Sequence, residues 1–438
     1  MLWTGEAKPG FPYWWEDAVW PDLPSTPPDT ADVLIIGAGY TGLSAAIAAH
    51  DTGARVVVVD AGVPGQGAST RNGGMTGAHP RLGWEALRAQ FGAEVADGLF
   101  AEATPALGFA KRMIKDEAME CEFQETGRIQ LSWTASHFET QKRLAADVTA
   151  KSEVGVHVLE RAELDSEIVS EKYFGGLVFP EHGAVHPRKY HGGWLKAALR
   201  RDIPVIANCR VEDCQRDGAG FVVQTKGGTI RADKVILATN GYTPAIFRWH
   251  QRRVFPLPSF LIATEQLPPE VIDAVAPGRR MMVETRARHS YYRVSPDGTR
   301  ILFGGRSSMK PINLGVAAQR LRATMCEVWP SLADVAISHV WTGNTGYSFS
   351  HMPSVGEQDG LHYAMGFSGS GTVMAPYLGA KAAWAAVGDP RAETAYRMNA
   401  LKPHWMHPFK RPHFLSLADL WYRFAVDPME TRKGRKAP

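Results

Sequence analysis

The sequence predicts a two-domain α/β fold, in which a parallel sheet flanked by helices is interleaved with an antiparallel sheet. Two apolar runs rich in β-branched residues enclose a glycine-rich turn and a helical stretch near the N-terminus. A second glycine-rich turn precedes an Ala-rich helical stretch near the C-terminus, and short strand-like segments lie between the two turns. A chain of 438 residues, 45% of them hydrophobic, is long enough to bury two compact cores.

Composition excludes several classes of function. A formal net charge of +3 is too small to indicate nucleic acid as a partner. No stretch approaches the roughly 20 consecutive apolar residues of a transmembrane helix, and the polar, aromatic N-terminus does not resemble a signal peptide. The 4 cysteines lack metal-ligand spacing, so neither a metal site nor a disulfide is expected. These features favour a cytoplasmic protein that acts on a small molecule, either as a monomer or as an oligomer.

The first ordered segment has the pattern of a dinucleotide-binding unit. Val33–Ile36 reads as a buried strand and leads into Gly37-Ala38-Gly39-Tyr40-Thr41-Gly42, which is a G-x-G-x-x-G motif. A helix is predicted over Leu43–Ala49, and Arg55–Val59 reads as a second buried strand. Strand, glycine turn, helix and strand in this order predict a Rossmann-type domain.

Each position of the motif has a residue that suits its physical role. Gly37 permits the tight turn, Gly39 lets the backbone approach a pyrophosphate, and Gly42 allows close packing of helix on strand. The helix N-terminus offers N–H groups and a partial positive charge to phosphates. Asp60 follows the second strand, where its carboxylate can accept hydrogen bonds from a ribose diol and would repel the 2′-phosphate of NADP.

Two further segments favour FAD over NAD. The polar, glycine-dense loop Gly65–Gly74 stands where an NAD dehydrogenase usually begins a helix, and it can wrap a larger cofactor, with Ser69 at the pyrophosphate. The turn Gly366–Thr372 points a second helix N-terminus at a negative group, such as a reduced flavin. The alternatives are a surface hairpin for the first segment and a packing turn for the second. A buried strand at Lys234–Ala238 completes the predicted sheet.

In their order along the chain, these segments resemble the D-amino-acid-oxidase-type superfamily of FAD-dependent oxidoreductases. Within it, the sequence is most similar to the branch of gamma-glutamylputrescine oxidase, glycine oxidase and sarcosine oxidase. The similar segments are Gly37–Gly42, Gly67–Gly74, Ala263-Thr264-Glu265, Tyr291-Tyr292-Arg293 through Gly304-Gly305, Trp341-Thr342-Gly343-Asn344, Met352-Pro353 and Gly366–Gly371.

The resemblance implies a Rossmann-type FAD-binding domain interleaved with an antiparallel-sheet substrate domain. The FAD-binding domain is expected at residues 31–83, 150–245 and 350–390, and the substrate domain at 84–149 and 246–349. A strand is predicted at Gly127–Trp133, and others at Pro256–Thr264, Ser290–Val294 and Arg300–Gly305. Residues 1–30 are expected to wrap over the body, and 391–438 to form a tail with a helix docked near the active-site mouth. A membrane-interface helix is the alternative for this aromatic and basic tail.

The cofactor-binding residues follow from the motifs and, for Val211 at the adenine, from the resemblance. They are Gly37, Gly39, Tyr40, Thr41, Gly42, Asp60, Ala61, Gly67, Ala68, Ser69, Arg71, Asn72, Gly73, Gly74, Met75, Val211, Ala238, Thr239, Asn240, Gly241, Tyr242, Gly343, Gly366, Gly369, Ser370, Gly371 and Thr372. Some relatives attach FAD to a cysteine in the strand before the last glycine motif. The matching residues 341–349 contain no cysteine, so the FAD is expected to be non-covalent.

The resemblance implies oxidation of a C–N bond in a small amine or amino acid, such as a gamma-glutamylputrescine-like compound or an N-alkyl amino acid. Hydride transfer to flavin N5 gives an imine that hydrolyses, and O2 is reduced to H2O2. Some relatives activate O2 with a lysine, but the matching strand Ile301–Gly305 contains none. An FAD dehydrogenase that passes electrons to a quinone or carrier protein is therefore an alternative, and an NAD-dependent dehydrogenase is a second.

Side chains for the substrate pocket are predicted from their chemistry. Tyr292, Trp341 and Tyr347 would form an aromatic wall that holds an amine by cation–π contact, although core packing is the alternative for each. A guanidinium, from Arg293 or Arg306, would bind a substrate carboxylate through two hydrogen bonds. The remaining candidates are His289 and Glu265, the latter for a distal ammonium group.

Overall fold

The computed structural model describes residues 2–16, 18–398, 401–407 and 412–434. Within them, two large sheets and several helices form the α/β two-domain fold that the sequence predicts. The strands are β1 (Trp3–Pro9), β2 (Thr30–Ile36), β3 (Val56–Val59), β4 (Met75–Thr76), β5 (Arg128–Leu131), β6 (His157–Glu160), β7 (Gly175–Phe179), β8 (Gly183–Ala184), β9 (Val205–Ile206), β10 (Val211–Asp217), β11 (Gly220–Thr225), β12 (Gly228–Leu237), β13 (Val254–Thr264), β14 (Met281–Glu284), β15 (Ser290–Val294), β16 (Ile301–Gly305), β17 (Ile337–Ser348), β18 (Ser354–Gln358) and β19 (Leu361–Met365). The helices are α1 (Tyr40–His50), α2 (Trp84–Phe91), α3 (Ala93–Ala101), α4 (Ala103–Asp116), α5 (Ala135–Lys151), α6 (Pro187–Leu199), α7 (Arg248–Gln251), α8 (Pro269–Val275), α9 (Leu314–Val328), α10 (Gly371–Val387), α11 (Phe414–Trp421) and α12 (Asp427–Gly434).

The first sheet has a parallel centre. Its strand order is β10-β11-β12-β2-β3-β9, and β19 pairs in parallel with the end of β12. The four valines of β3 are all buried, as expected for a strand covered on both faces. Because β2, β3, β12 and β19 run parallel, their carboxyl ends meet at one edge. Both glycine turns therefore lie at the edge where open α/β sheets bind ligands.

Helices α1 and α10 pack closely against each other beside this sheet. A Cβ at Gly42 would overlap the carbonyl oxygen of Gly37, and a Cβ at Gly379 would overlap that of Thr41. The Ser44 hydroxyl donates to the Pro376 carbonyl over 2.7 Å and joins the two helices. Small residues at these positions let both helices direct their N-termini to the same region.

The second sheet has the strand order β1-β17-β13-β16-β15-β14-β5-β7-β6. Its pairs are antiparallel except for β1 with β17 and β5 with β14. The predicted division of the chain is wrong in one place, because β6 and β7 belong to this sheet although residues 150–245 were expected in the FAD-binding domain. The N-terminal prediction also changes, since β1 adds a strand to the sheet instead of wrapping over the body.

The short 3₁₀ helix Tyr13–Trp15 braces the loop that follows β3. The Trp14 indole N–H donates to the carbonyl of Asn72 over 2.8 Å, and that of Trp15 donates to the Thr70 hydroxyl over 2.9 Å. The N-terminal segment therefore supports the loop that the sequence assigns to the cofactor.

Near the C-terminus, α11, a π-helical stretch Tyr422–Val426 and α12 follow one another without a break. The side chains of Leu415 and Tyr422 pack with Phe255 and Tyr347 of the second sheet. Among the residues that the structure describes, no helix is long and apolar enough to cross a membrane.

Candidate active site

A cavity of about 710 Å³ lies between the carboxyl edge of the parallel sheet and one face of the second sheet. Its walls come from the ends of β2, β3 and β12, from the two glycine turns, and from β5, β13, β14, β15 and β17. This volume is in the range of sites that enclose a cofactor or a drug-sized ligand.

The first glycine turn provides a narrow passage at the N-terminus of α1. Gly37 has a φ of +107°, in the left-handed region that favours glycine. A Cβ at Gly39 would lie 2.8 Å from the Ser69 hydroxyl, which accepts a hydrogen bond from the Tyr40 N–H over 3.1 Å. Backbone and hydroxyl groups thus surround the position where a pyrophosphate meets the helix N-terminus.

Asp60 lies beside this turn. Its two carboxylate oxygens accept hydrogen bonds from the backbone N–H groups of Ala38, over 2.8 Å, and Gly62, over 3.0 Å. Burial raises the pKa of Asp60, and the two N–H groups oppose that rise. The carboxylate is held at the cavity wall, where a ribose diol could donate to it, and Val211 lines the wall beyond it.

The loop after β3 is held in shape by its own side chains. The Asn72 amide donates to the carbonyls of Ala68 and Ser69, and its oxygen accepts from the N–H of Gly74. Arg71 donates to the carbonyls of Gln66, within the loop, and Thr342, on β17. Both residues also line the cavity, so the loop presents a fixed polar wall.

The second glycine turn brings the N-terminus of α10 to the same cavity. Ser368 and Gly369 have φ values of 49° and 103°, and the helix then starts at Gly371 without a side-chain cap from Ser370. Gly369 to Thr372 line the cavity. An uncapped helix N-terminus here favours negative charge on a ligand.

Most of the predicted cofactor residues come together around this cavity. Those that line it are Gly37, Gly39, Tyr40, Thr41, Asp60, Ala61, Gly67, Ala68, Ser69, Arg71, Asn72, Gly73, Met75, Val211, Ala238, Thr239, Asn240, Tyr242, Gly343, Gly369, Ser370, Gly371 and Thr372. The others lie one layer behind the wall: Gly42 and Gly74 pack against backbone carbonyls, Gly241 packs against Gly346, and the Gly366 N–H donates to the Asn240 side chain. These four glycines do not line the cavity and instead allow close packing behind its wall.

Positively charged side chains lie close together in another part of the cavity, around Tyr347. Arg81 and Arg306 both donate to the Tyr347 hydroxyl, the first over 3.0 Å. Burial favours the neutral phenol, but the two guanidinium groups outweigh it and lower the pKa of Tyr347 below its ordinary value. Arg81 also donates to the carbonyl of Ser368 in the second glycine turn, which links this end to the α10 N-terminus.

A third guanidinium enters from β5. Arg128 contacts the His79 ring over 2.9 Å, and its Nε has no partner among the described residues although the atom is buried. Burial, and then the charge of Arg81, lower the pKa of Arg128 to about 10, so the group stays charged at neutral pH. Burial together with Arg128 and Arg81 lowers the pKa of His79 well below its ordinary value.

Among the described residues, no Asp or Glu forms an ion pair with Arg81, Arg128 or Arg306. Glu284 also lines the cavity, but it pairs with Arg286 over 2.6 Å and accepts the Ser290 N–H over 2.8 Å. A cluster of positive charge at a cavity, without counter-ions among the described residues, favours an anionic ligand.

The structure places some of the predicted pocket residues at the cavity and others away from it. Tyr347, Arg306 and His289 line this end of the cavity. Tyr292 and Trp341 are fully buried instead, the first against Tyr173 and the second with its indole N–H donating to the Arg71 carbonyl.

Two further predicted pocket residues, Arg293 and Glu265, also do not line the cavity. Arg293 is turned away from the cavity and donates to the carbonyls of Val185 and Val294. Glu265 accepts the Ala336 N–H over 2.8 Å at the end of β13, so it does not face a substrate. Both side chains satisfy backbone groups and serve the fold.

Several lining residues were not predicted, and one pattern could have revealed some of them. Along β5, Ile129 and Leu131 are buried in the core while Arg128 and Gln130 face the cavity. This alternation of apolar and polar residues is visible in the sequence. Tyr291 also lines the cavity, on the opposite face of β15 from Tyr292.

The neighbouring tyrosines of β15 are expected to respond differently to the loss of a hydroxyl. Tyr292→Phe removes a 2.5 Å contact to the Tyr173 hydroxyl in the core, so the free energy of unfolding should fall by about 1–2 kcal/mol with little change in kcat/KM. Tyr291→Phe, which loses a 2.9 Å contact to Ser259 at the cavity, should lower kcat/KM about tenfold at nearly unchanged stability. Denaturant unfolding and turnover of the two variants measure this; a reversed pattern would contradict the assigned faces of β15.

The buried histidine at this end predicts loss of stability in acid. His79 stays neutral in the folded protein, whereas the unfolded chain binds a proton below the ordinary pKa of 6.5. The free energy of unfolding should therefore fall as the pH decreases, by about 1.4 kcal/mol from this residue between about pH 7.5 and 5.5. Denaturant titrations at the two pH values should show a smaller fall for His79→Gln. Gln130→Ala, a change in the same wall without a titratable group, should keep the full fall.

Comparison with known proteins identifies the family. The sequence profile of the family described as FAD dependent oxidoreductase (DAO) matches residues 32–384. The chain belongs to this family. It is 32% identical over 396 residues to the "Probable oxidoreductase OrdL" of Rhizobium meliloti (strain 1021), an alignment that covers 89% of this chain and 91% of that protein. It is 26% identical over 381 residues to the gamma-glutamylputrescine oxidoreductase of Escherichia coli (strain K12), covering 86% and 88% of the two chains.

Solved structures agree with this assignment at the level of the fold. The glycine oxidase from Geobacillus kaustophilus superposes with a TM-score of 0.70 at 20% identity, over 86% of this chain and 100% of that one. The L-proline dehydrogenase from P. horikoshii gives 0.69 at 16% identity, over 90% and 99%. The predicted resemblance to FAD-dependent oxidoreductases of the D-amino-acid-oxidase type is confirmed, and the NAD-dependent alternative is wrong.

The cavity fits the FAD of this DAO family. Glycine at position 39 leaves open the passage beside Ser69 that a Cβ would narrow, and the α1 N-terminus points at it. Asp60 and the braced loop with Arg71 and Asn72 also line the cavity. The α10 N-terminus borders the same cavity, where it suits a flavin that gains negative charge.

Proposed function

We propose that this DAO-family protein oxidises a C–N bond in a small amine that carries a carboxylate group, such as an amino acid or an N-substituted amino acid. The carbon that bears the nitrogen loses a hydride and the nitrogen loses a proton, which leaves an imine. Water hydrolyses the imine to a carbonyl compound and an amine or ammonia. The matched relative named gamma-glutamylputrescine oxidoreductase supports an amine as the substrate class.

The observation that carries the proposal is the cluster of Arg81, Arg128 and Arg306 at one end of the cavity. No carboxylate of the described residues neutralises these groups, and Tyr347 lies between two of them. A substrate carboxylate would supply the missing negative charge and accept two parallel hydrogen bonds from a guanidinium. Because all three groups are cationic, a polyamine without a carboxylate would be repelled.

The same cluster prepares the substrate nitrogen for oxidation. Three nearby positive charges exceed the single negative charge of one substrate carboxylate, so they favour a neutral amine over an ammonium. A neutral amine has the lone pair that stabilises the carbon as it loses a hydride. When bound, FAD would accept the two electrons. The protein's part is therefore to orient the substrate and to keep its nitrogen unprotonated.

Two points of the proposal concern FAD itself. Of the 4 cysteines, Cys209 lines the cavity, at the Asp60 and Val211 end, and Trp341 to Phe349 contain none. This placement supports non-covalent binding of the flavin. For the electrons, we propose O2 as the acceptor with H2O2 as product, and a quinone or carrier protein as the second candidate because Ile301–Gly305 lack a lysine.

Turnover with matched pairs of substrates tests the proposed function. Each pair consists of an amino or N-alkyl amino acid and its amide, which keeps the nitrogen but loses the carboxylate. Carbonyl product is measured in air and, separately, without O2 in the presence of a dye acceptor. We expect product from one or more of the acids, and at least about 30-fold less from the amides. Equal turnover of acid and amide would overturn the role of the arginine cluster, and product with the dye alone would favour the dehydrogenase.

A further inference from the structure

The helical segment 414–434, formed by α11, the π-helical stretch and α12, exposes several large apolar side chains, although two of its acidic side chains are buried. In a surface helix of a globular protein, apolar side chains normally face the core and charged ones face water. Here the acidic side chains Asp419 and Glu430 are buried, and Leu415 packs against the protein, whereas several other large apolar side chains of the segment are exposed. We call the outward side the apolar face of the C-terminal helix.

The buried acidic groups fix this orientation. Asp419 accepts the Met309 N–H over 2.8 Å, and Glu430 accepts the Ala287 N–H over 3.1 Å. Asp427 forms an ion pair with Arg288, which also lies 3.6 Å from Asp419. A turned helix would leave these charges unpaired, so the docking is specific.

The apolar face is formed by neighbouring exposed side chains. Leu420 and Trp421 follow Leu417 by three and four residues and precede Phe424 by four and three, which places the four side chains on one side of a helix. Phe424 is 73% exposed and Trp421 is 66% exposed. A contiguous apolar surface of this kind normally marks a binding site for a protein or a membrane.

The basic residues of this segment indicate which kind of surface the apolar face binds. The exposed charged side chains of the described helix after Trp421 are Arg423, Arg432 and Lys433, all basic. The sequence adds Lys410 and Arg411 before the helix and Arg435 and Lys436 after it. Aromatic and aliphatic residues flanked by cations match the interface of a bilayer that contains anionic lipids. A second copy of this chain would bring these like charges together, which disfavours self-association through this face.

We propose that the apolar face of the C-terminal helix binds the surface of a membrane rich in anionic lipids, with the helix lying in the plane of the interface. The attachment is peripheral, because the acidic side of the helix stays docked on the protein. The site is also close to the proposed chemistry, since Leu415 and Tyr422 of the helix pack with Tyr347 at the arginine end of the cavity. The inference rests on the helix alone and does not depend on the substrate.

Vesicle binding of the full-length, FAD-loaded protein tests this inference. The probes are vesicles of phosphatidylglycerol with phosphatidylcholine and vesicles of phosphatidylcholine alone, separated from free protein by sedimentation. The wild type should bind the anionic vesicles, and less so as the salt concentration rises. A variant with Leu417→Ser, Trp421→Ser and Phe424→Ser should bind at least about tenfold more weakly. The control variant, Val169→Ser with Ile246→Ser, removes exposed apolar side chains elsewhere and should bind like the wild type.

Two results would overturn the inference. One is wild-type protein that stays in solution with anionic vesicles at low salt. The other is a dimer that dissociates on the three serine substitutions while neither form binds vesicles, which would assign the face to a second copy. Retained flavin absorbance and an unchanged circular dichroism spectrum in the serine variant would show that its weaker binding does not come from unfolding.

Discussion

Replacing Arg306 with methionine is expected to lower kcat/KM for a carboxylate-bearing amine about 100- to 1,000-fold. The change removes a buried guanidinium that reaches the Tyr347 hydroxyl, and keeps most of the apolar stem. Truncating one partner of a buried charge pair costs about 3–4 kcal/mol, most of it from the substrate carboxylate left without its partner. Arg306→Lys should recover only part of the rate, because an ammonium cannot form two parallel hydrogen bonds with a carboxylate.

Two comparisons separate a lost substrate contact from a damaged fold. With the amide of the same amine, Arg306→Met should change kcat/KM by less than about tenfold, since the amide has no negative charge to lose. Arg293→Met removes a buried arginine that contacts backbone carbonyls outside the cavity, so it should lower stability more than kcat/KM. Equal losses on acid and amide with Arg306→Met would show that this residue does not bind the carboxylate.

Replacing Gly39 with valine is expected to yield a folded protein that no longer holds FAD. Gly39 has a φ of −84°, which any residue adopts, so the backbone tolerates the change. A Cβ would lie 2.8 Å from the Ser69 hydroxyl, and the valine methyl groups would fill the passage at the α1 N-terminus. We expect the dissociation constant for FAD to rise at least about 100-fold, a loss of about 3 kcal/mol or more.

The measurement is the flavin absorbance of the purified variant, followed by titration with FAD. Gly5→Val is the matched control, because a Cβ at Gly5 on β1 meets no atom within 4 Å. It should bind FAD like the wild type. A yellow Gly39→Val protein with wild-type affinity for FAD would exclude the passage as the pyrophosphate site. If Gly39→Val does not fold, the same titration is made with Gly39→Ala.

The two glycine turns could be predicted because each depends on residues that are close together in the sequence. The glycine turn after Val33–Ile36 and the turn before α10 each combine a strand, glycines and a helix within a short stretch. Most residues chosen from these turns line one cavity. The turns themselves could not show which glycines face a ligand and which, like Gly42, face the backbone behind it.

The substrate end was harder to predict because it depends on distant pairing. Tyr291 and Tyr292 are identical residues on opposite faces of one strand, and the sequence alone does not show which face is buried. Arg81 and Arg128 reach the cavity from a loop and from β5, whose pairing with β14 and β7 places it in the second sheet. The same pairing explains why residues 157–179 belong there, since β6 and β7 continue the sheet beyond β5.

The central claim, that bound FAD is reduced by a carboxylate-bearing amine, is tested most directly by the visible spectrum of the purified protein without oxygen. Amino acids, N-alkyl amino acids and their amides are added in turn, and the flavin absorbance is followed. The account predicts that at least one acid bleaches the flavin, while its amide does so far more slowly. A bound flavin that none of the acids bleaches, or that simple amines bleach equally well, would contradict it.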